Sequence, residues 1–226
     1  MAADPLTRAP VEGAGATTRA RMVDVAERLF AEYGIEAVSL RMVGAAAGQR
    51  NNSVAQYHFG SKEGLIEAVI AARSPLIDAR RLELVTELQA TGERLTPASL
   101  LHLLVRPLAE TIGAGGERTY YLRFLASLMD HPTFVRNAES SGTDQPALRW
   151  MRGRLRALCP SQSAATFRRR SQWAALIAFR ILAEQERQLA SGDDRAAPTE
   201  QVVGELVATL VALMTAPVGD GALPPR

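Results

Sequence analysis

The feature that most constrains this chain is the spacing of its apolar residues, which recur every three or four positions almost throughout, with no alternating run long enough to make a strand. Met22, Val25, Ala26, Leu29 and Phe30 form one such set, and Trp173, Leu176, Ile177 and Ile181 form another. This spacing places apolar side chains on one face of a helix. Composition points the same way: aromatics are 5% of 226 residues and alanine occurs 38 times, a balance that favours helices over sheets. The expected fold is all-α, with about nine helices.

Caps and breakers divide the pattern into elements. Thr17 or Thr18 starts a helix that Gly34 ends, Ser39 caps a short one over residues 40–47, and another spans 53–59. Ser61 opens a long helix to about residue 90, which Pro75 is expected to bend or end early. Thr96-Pro97 opens the next, to about Ile112; further helices are expected at 117–129, 147–158, from Ser161 or Ser163 to 190, and at 199–214, with a loop over 131–143. Proline, glycine and alanine without periodicity mark tails at 1–16 and 216–226. The expected domains are therefore 17–62, with the spacing of a helix-turn-helix, and 63–215.

Several function classes are excluded. Cys159 is the lone cysteine, so neither a disulfide nor a thiolate metal cluster can form within the chain. His102 and His131 have no partners at metal-ligand spacing, and no catalytic triad, P-loop or dinucleotide fingerprint occurs, so no metal, cofactor or enzyme activity is expected. The start lacks a secretory pattern, and the longest uncharged apolar stretch, residues 206–219, is too short to span a bilayer; the expectation is a cytoplasmic protein that does not engage membranes. Net charge is only +2, so attraction to a polyanion must come from placement rather than total charge.

Residues 39–65 carry the densest chemistry. The second helix of a helix-turn-helix lays its N-terminal residues against base edges in the major groove, where planar donors and acceptors are needed. Arg50, Asn51, Asn52, Ser53 and Gln56 fit, Arg matching guanine and Asn or Gln matching adenine. A solvated polar turn is the competing reading of the same residues. Tyr57 and His58 end the short helix and Ser61-Lys62 opens the next, giving one edge suited to phosphates. Thr18, at the start of the first helix, is a further phosphate candidate, while Phe59 reads as a core plug.

As an ordered set, Leu29-Phe30, Tyr33-Gly34, Ser39, Arg41, Val43, Ala47-Gly48, Tyr57-His58-Phe59 and Ser61-Lys62-Glu63-Gly64-Leu65 resemble the DNA-binding domain of the TetR family of transcriptional regulators. The resemblance covers roughly residues 18–68. It implies phosphate contacts from Ser39, Tyr57, His58 and Lys62, with Arg41 reaching a phosphate or an outer base. Two departures stand out: the turn at 49–52 is a residue longer than is common in the family, and Gln56 stands where many members carry an aromatic.

The last helix has an apolar surface, Val202, Val203, Leu206, Val207, Leu210, Val211, Leu213 and Met214, too wide for one buried face. Together with the preceding helix it suggests a homodimer interface at Ile177, Ile181, Leu206, Val207, Leu210 and Met214; the resemblance implies a four-helix bundle there. An ordinary central helix of a single domain explains the same width. Aromatics concentrate between the two ends, and Tyr121, Phe124, Leu128, Trp150 and Trp173 are candidates to line a pocket for a small apolar or aromatic ligand, against the simpler reading that they are core. The function expected is a homodimeric repressor released from a palindromic DNA operator by a ligand. An all-α carrier or enzyme with a fortuitous helix-turn-helix, and a DNA-binding dimer that senses nothing, are the alternatives.

Overall fold

The computed structural model describes residues 12–51, 53–113, 119–129, 131 and 145–217, with side chains from residue 17. Among them are nine helices and no strand: α1 (Glu12–Tyr33), α2 (Leu40–Ala46), α3 (Val54–Phe59), α4 (Lys62–Ala90), α5 (Pro97–Ala109), α6 (Tyr121–Leu128), α7 (Pro146–Ala157), α8 (Ala164–Ser191) and α9 (Thr199–Thr215). The first helix begins at Glu12, ahead of the expected cap at Thr17 or Thr18, so the helix takes in part of what was read as a tail. Residues 1–11 and 218–226, Asn52, and the expected loop beyond His131 lie outside the described residues.

Helix α1 packs on α2, α4 and α6, and so belongs to both halves of the molecule. Its apolar stripe, Met22, Ala26, Leu29 and Phe30, is buried, and the Phe30 ring lies 5.8 Å from that of Phe124 on α6. Helix α6 packs chiefly on α8, α9 on α5 and α8, and α4 on α5 and α7. Pro75 does not end α4, although it leaves the Ala71 carbonyl without a helical donor. Burial on both sides of it, Leu65, Ile66 and Val69 before and Ile77 and Val85 after, holds the helix in one piece.

Helix ends are closed in two ways. Ser39, Ser61, Thr96 and Ser163 accept backbone N–H groups from the first turns of their own helices. Elsewhere a buried charge from a distant segment does the work. Asp78 on α4 accepts from the Ala147 and Leu148 amides, at 3.1 and 3.0 Å, at the start of α7. Glu186 on α8 accepts from the Leu122 and Arg123 amides at 3.4 and 3.0 Å, and from Arg123 Nε at 3.2 Å. Arg170 donates to the carbonyls of Met214, Ala216 and Pro217 at the end of α9. Each pairing satisfies orphan groups that a helix end leaves open.

Part of the expected dimer surface lies inside the chain. Leu206, Val207, Leu210 and Met214 are buried within the chain, on a helix packed against α5 and α8. The width of the α9 apolar surface reflects two neighbouring helices in one chain. What stays outside is on α8: Trp173, 45% exposed, with Leu176 and Ile181, and Ile177 half-buried beside them.

Candidate nucleic-acid interface

Helices α2 and α3 stand together because small residues let them: Val43, Gly44 and Ala47 are buried on α2 and its end, and Ala55 on α3. The connection closes with Gly48 at φ +77°, a left-handed conformation that favours glycine. The junction from α3 to α4 is tighter. Gly60 takes φ +70°, the Ser61 hydroxyl accepts from the Gly64 amide at 3.1 Å, and a Cβ on Gly64 would stand 2.1 Å from the Phe59 carbonyl oxygen. Only glycine permits that approach. Phe59 is buried as expected, with the Arg19 guanidinium 5.3 Å above its ring, and so anchors α3 beneath its outer face.

That outer face carries Gln56 and Tyr57. Tyr57 is 86% exposed, so its ring stands clear for a groove or a phosphate. His58 is half-buried with its ring between those of Tyr57 and Phe59, 5.3 and 6.1 Å away. Gln56 Nε2 donates to the Gly60 carbonyl, folding the amide back along the helix end. The recognition helix begins at Val54, and the Asn51 side-chain oxygen accepts from the Ser53 amide at 2.9 Å, which makes Asn51 a builder of the turn. Arg50, Asn51 and Ser53 are all exposed beside it.

Among the expected phosphate contacts, Arg41 is exposed on α2 and Thr18 is half-buried on α1. The Ser39 hydroxyl accepts from the Met42 amide at 3.2 Å, which leaves its proton for an outside acceptor. Lys62 has a structural task besides the one expected: its ammonium donates to the Ile35 and Glu36 carbonyls at 3.0 and 3.1 Å, tying the start of α4 to the α1–α2 connection. With three donors, one remains. Nothing in the spacing of Ser61-Lys62 signals that tie, because its acceptors lie 26 and 27 residues away.

Residues 22–69 match the family model described as bacterial regulatory proteins, tetR family. This N-terminal domain belongs to the tetR family. The matched residues form a tetR-type DNA-binding domain, built from the α1–α3 helix-turn-helix with the start of α4. No curated protein matches the sequence. Similar solved structures include AmtR of Mycobacterium smegmatis, 23% identical over 92% of this chain and 95% of that one, with a TM-score of 0.44. The multidrug binding protein EbrR, crystallised with imidazole, is 19% identical over 90% and 97%, at a TM-score of 0.39. NalD of Pseudomonas aeruginosa, secondary repressor of the MexAB-OprM multidrug efflux pump, is 18% identical over 87% and 96%, also at 0.39.

The residues expected to line a ligand pocket do not come together around a space. Tyr121, Phe124 and Leu128 are buried side chains of the α6 core, the first two with ring centres 6.0 Å apart. Trp150 lies half-buried under Arg154, and the exposed Trp173 under Arg169, with guanidinium-to-ring distances of 5.4 and 5.5 Å. Sequence reasoning passed over a polar group in the same part of the molecule: Ser74, Asp78 and Arg81 on α4, all buried, with Tyr121 and Gln145. Arg81 sits one turn from Ile77 and one turn from Val85, a charge inside an apolar stripe, and that interruption was the available signal. No described helix is long and apolar enough to cross a membrane, and no described group of His, Cys, Asp and Glu forms a metal site.

Proposed function

We propose that the chain is a homodimeric repressor that binds a palindromic operator and leaves it when a small molecule enters the C-terminal half. The observation that carries the DNA half of this reading is the outer face of α3: Gln56 and the 86% exposed Tyr57, with Arg50, Asn51 and Ser53 at its start, on a helix anchored from beneath by Ala55 and Phe59. Asn52 belongs to the same set by sequence. Ser39, Arg41, His58, Thr18 and the remaining donor of Lys62 serve as phosphate contacts that fix the register. Two copies related by a two-fold axis would read half-sites one helical turn, roughly 34–36 Å, apart.

The exposed apolar face of α8, Trp173, Leu176 and Ile181 with Ile177, supports the second copy as its cover. Release requires a ligand that favours a conformation whose recognition helices miss the grooves, by on the order of 5 kcal/mol for a near-complete shift. Helix α4 supports such coupling, because it enters the C-terminal core and is tied by Lys62 to the DNA-binding unit.

Selection of bound duplexes from random DNA tests the reading. An enriched inverted repeat is the expected result, and recovery of no sequence preference overturns it. Ile181→Arg should yield a folded monomer in sedimentation and lose the repeat; a normal dimer would put the interface elsewhere.

A further inference from the structure

The helix-turn-helix is not the most basic part of the molecule. Residues 17–62 hold six basic side chains and four acidic ones, whereas residues 146–183, which form α7 and most of α8, hold eight arginines and no Asp or Glu. Residues 206–217, the end of α9 that Arg170 caps, add no acid. Four of the eight are committed: Arg156 donates to the Cys159 and Gln162 carbonyls, Arg170 to the end of α9, and Arg149 and Arg180 have partners of their own. Arg152, Arg154, Arg168 and Arg169 are exposed, and no carboxylate among the described residues pairs with them. Arg154 and Arg169 lie over Trp150 and Trp173, the two tryptophans of the chain. The Arg156 guanidinium, 5.4 Å from the Phe167 ring, sets the last turn of α7 against the first of α8, so both pairs of arginines stand at one end of the molecule.

The DNA-binding domain is at the other end. Glu32, near the end of α1, and Arg187, near the end of α8, line one cleft, and from Arg187 back to Arg169 the helix runs 18 steps, ~27 Å. Glu32 is itself 13 steps, ~20 Å, along α1 from Arg19, which stands over Phe59 beneath the recognition helix. A duplex lying on α3 is thus far from the four guanidiniums.

We propose that the outer face of α7 and the first turns of α8 is a second DNA-binding surface, which holds another duplex by its phosphates without reading sequence and lets the protein bridge two DNA segments. It goes beyond the operator contact of α3 and does not depend on it. A guanidinium fork fits phosphate oxygens, and charge of one sign over 38 residues suits a polyanion. A folded protein partner fits less well. Its interface would seat anchor side chains in pockets, whereas neither cleft among the described residues is lined by this face. An anionic bilayer takes up apolar side chains, and here both indoles lie beneath guanidiniums.

The two tryptophans make the surface its own reporter. A short duplex of scrambled sequence, added to the full-length protein, should quench their emission, and should still do so in Tyr57→Ala, where α3 is weakened. The salt slope of that response should be about −0.9 per phosphate held. Replacing Arg152, Arg154, Arg168 and Arg169 together by Ser should weaken the response at least tenfold with the thermal midpoint unchanged, whereas replacing all four by Lys should keep it within about threefold. Protein loaded on a bead-bound duplex should capture a second duplex from solution, and the serine variant should not. Unchanged emission, a response lost in Tyr57→Ala, a lysine variant as weak as the serine one, or capture that survives the serine variant each overturns the surface. Polyglutamate and phosphatidylglycerol vesicles test the other occupants: a response to either through the four arginines, with none to DNA, also overturns it. Operator selection reads α3 and the emission reads this face, so each can fail without the other.

Discussion

The two halves of the molecule close their helix ends differently: the caps supplied from a distance all lie in the C-terminal half, beside local ones at Thr96 and Ser163. In the DNA-binding half the caps are local: Ser39 serves the amide of Met42 and Ser61 that of Gly64, each three residues on. In the C-terminal half three ends are closed by buried charges from far along the chain: Asp78 serves α7 from 69 and 70 residues away, Glu186 serves α6 from 63 and 64, and Arg170 serves α9 from 44 to 47. A local cap works as soon as its own turn forms, whereas a remote one works only when two distant helices are already docked. The first half should thus tolerate the loss of a cap as a frayed turn, while in the second the same loss leaves a buried charge or amides without partners.

The comparison can be broken by measurement. Glu186→Ala removes the acceptor for two buried amides and the Arg123 guanidinium, and should cost about 3–5 kcal/mol in urea unfolding. Gly64→Ala should come next, at about 1–3 kcal/mol, because the new methyl meets the Phe59 carbonyl oxygen. Its loss of operator affinity should exceed what the fraction unfolded explains, since α3 itself must shift. Ser61→Ala should cost only about 1 kcal/mol. If Glu186→Ala costs no more than Ser61→Ala, the distinction between remote and local caps collapses.

The smallest effect concerns Glu27, buried on α1 and paired to Arg73 Nε at 2.7 Å. Burial raises its carboxyl above the ordinary 4.5 despite Arg73, with Asp24 and Glu186 adding in the same direction. The folded chain then binds that proton more tightly than the unfolded one, so this residue's contribution weakens as pH rises from 4.5 through the raised value. Midpoints followed from pH 4 to 8 should show that slope in the wild type and a flatter one in Glu27→Gln.

What was legible in the sequence follows the same division. Ser39, Gly48 and Ser61 could be placed because each acts within a few residues of itself, and the family match falls on the same stretch. In the other half, Thr96 and Ser163 were equally visible as caps, yet α6 was expected from 117 and begins at Tyr121, where Glu186 meets its first amides. The α9 leucines read as a surface because periodicity shows how wide an apolar face is and never which neighbour covers it. The tie made by Lys62 was hidden for a related reason: an ammonium beside a helix start looks the same whether its acceptors are phosphates, the Ile35 and Glu36 carbonyls, or both.

Pro75 divides α4 into two arms. From Lys62 to Pro75 the helix runs 13 steps of ~1.5 Å, an arm of ~20 Å whose free end grips the α1–α2 connection. The missing hydrogen bond makes Pro75 the softest joint along that shaft. A rotation of about 5° there would swing the Lys62 end through ~1.7 Å, and mirrored arms in the proposed dimer would double the displacement to ~3.5 Å. Set against a half-site step of roughly 34–36 Å, that is a tenth of a helical turn, enough to move the proposed reading face of α3 out of register while the contacts inside the DNA-binding unit stay intact.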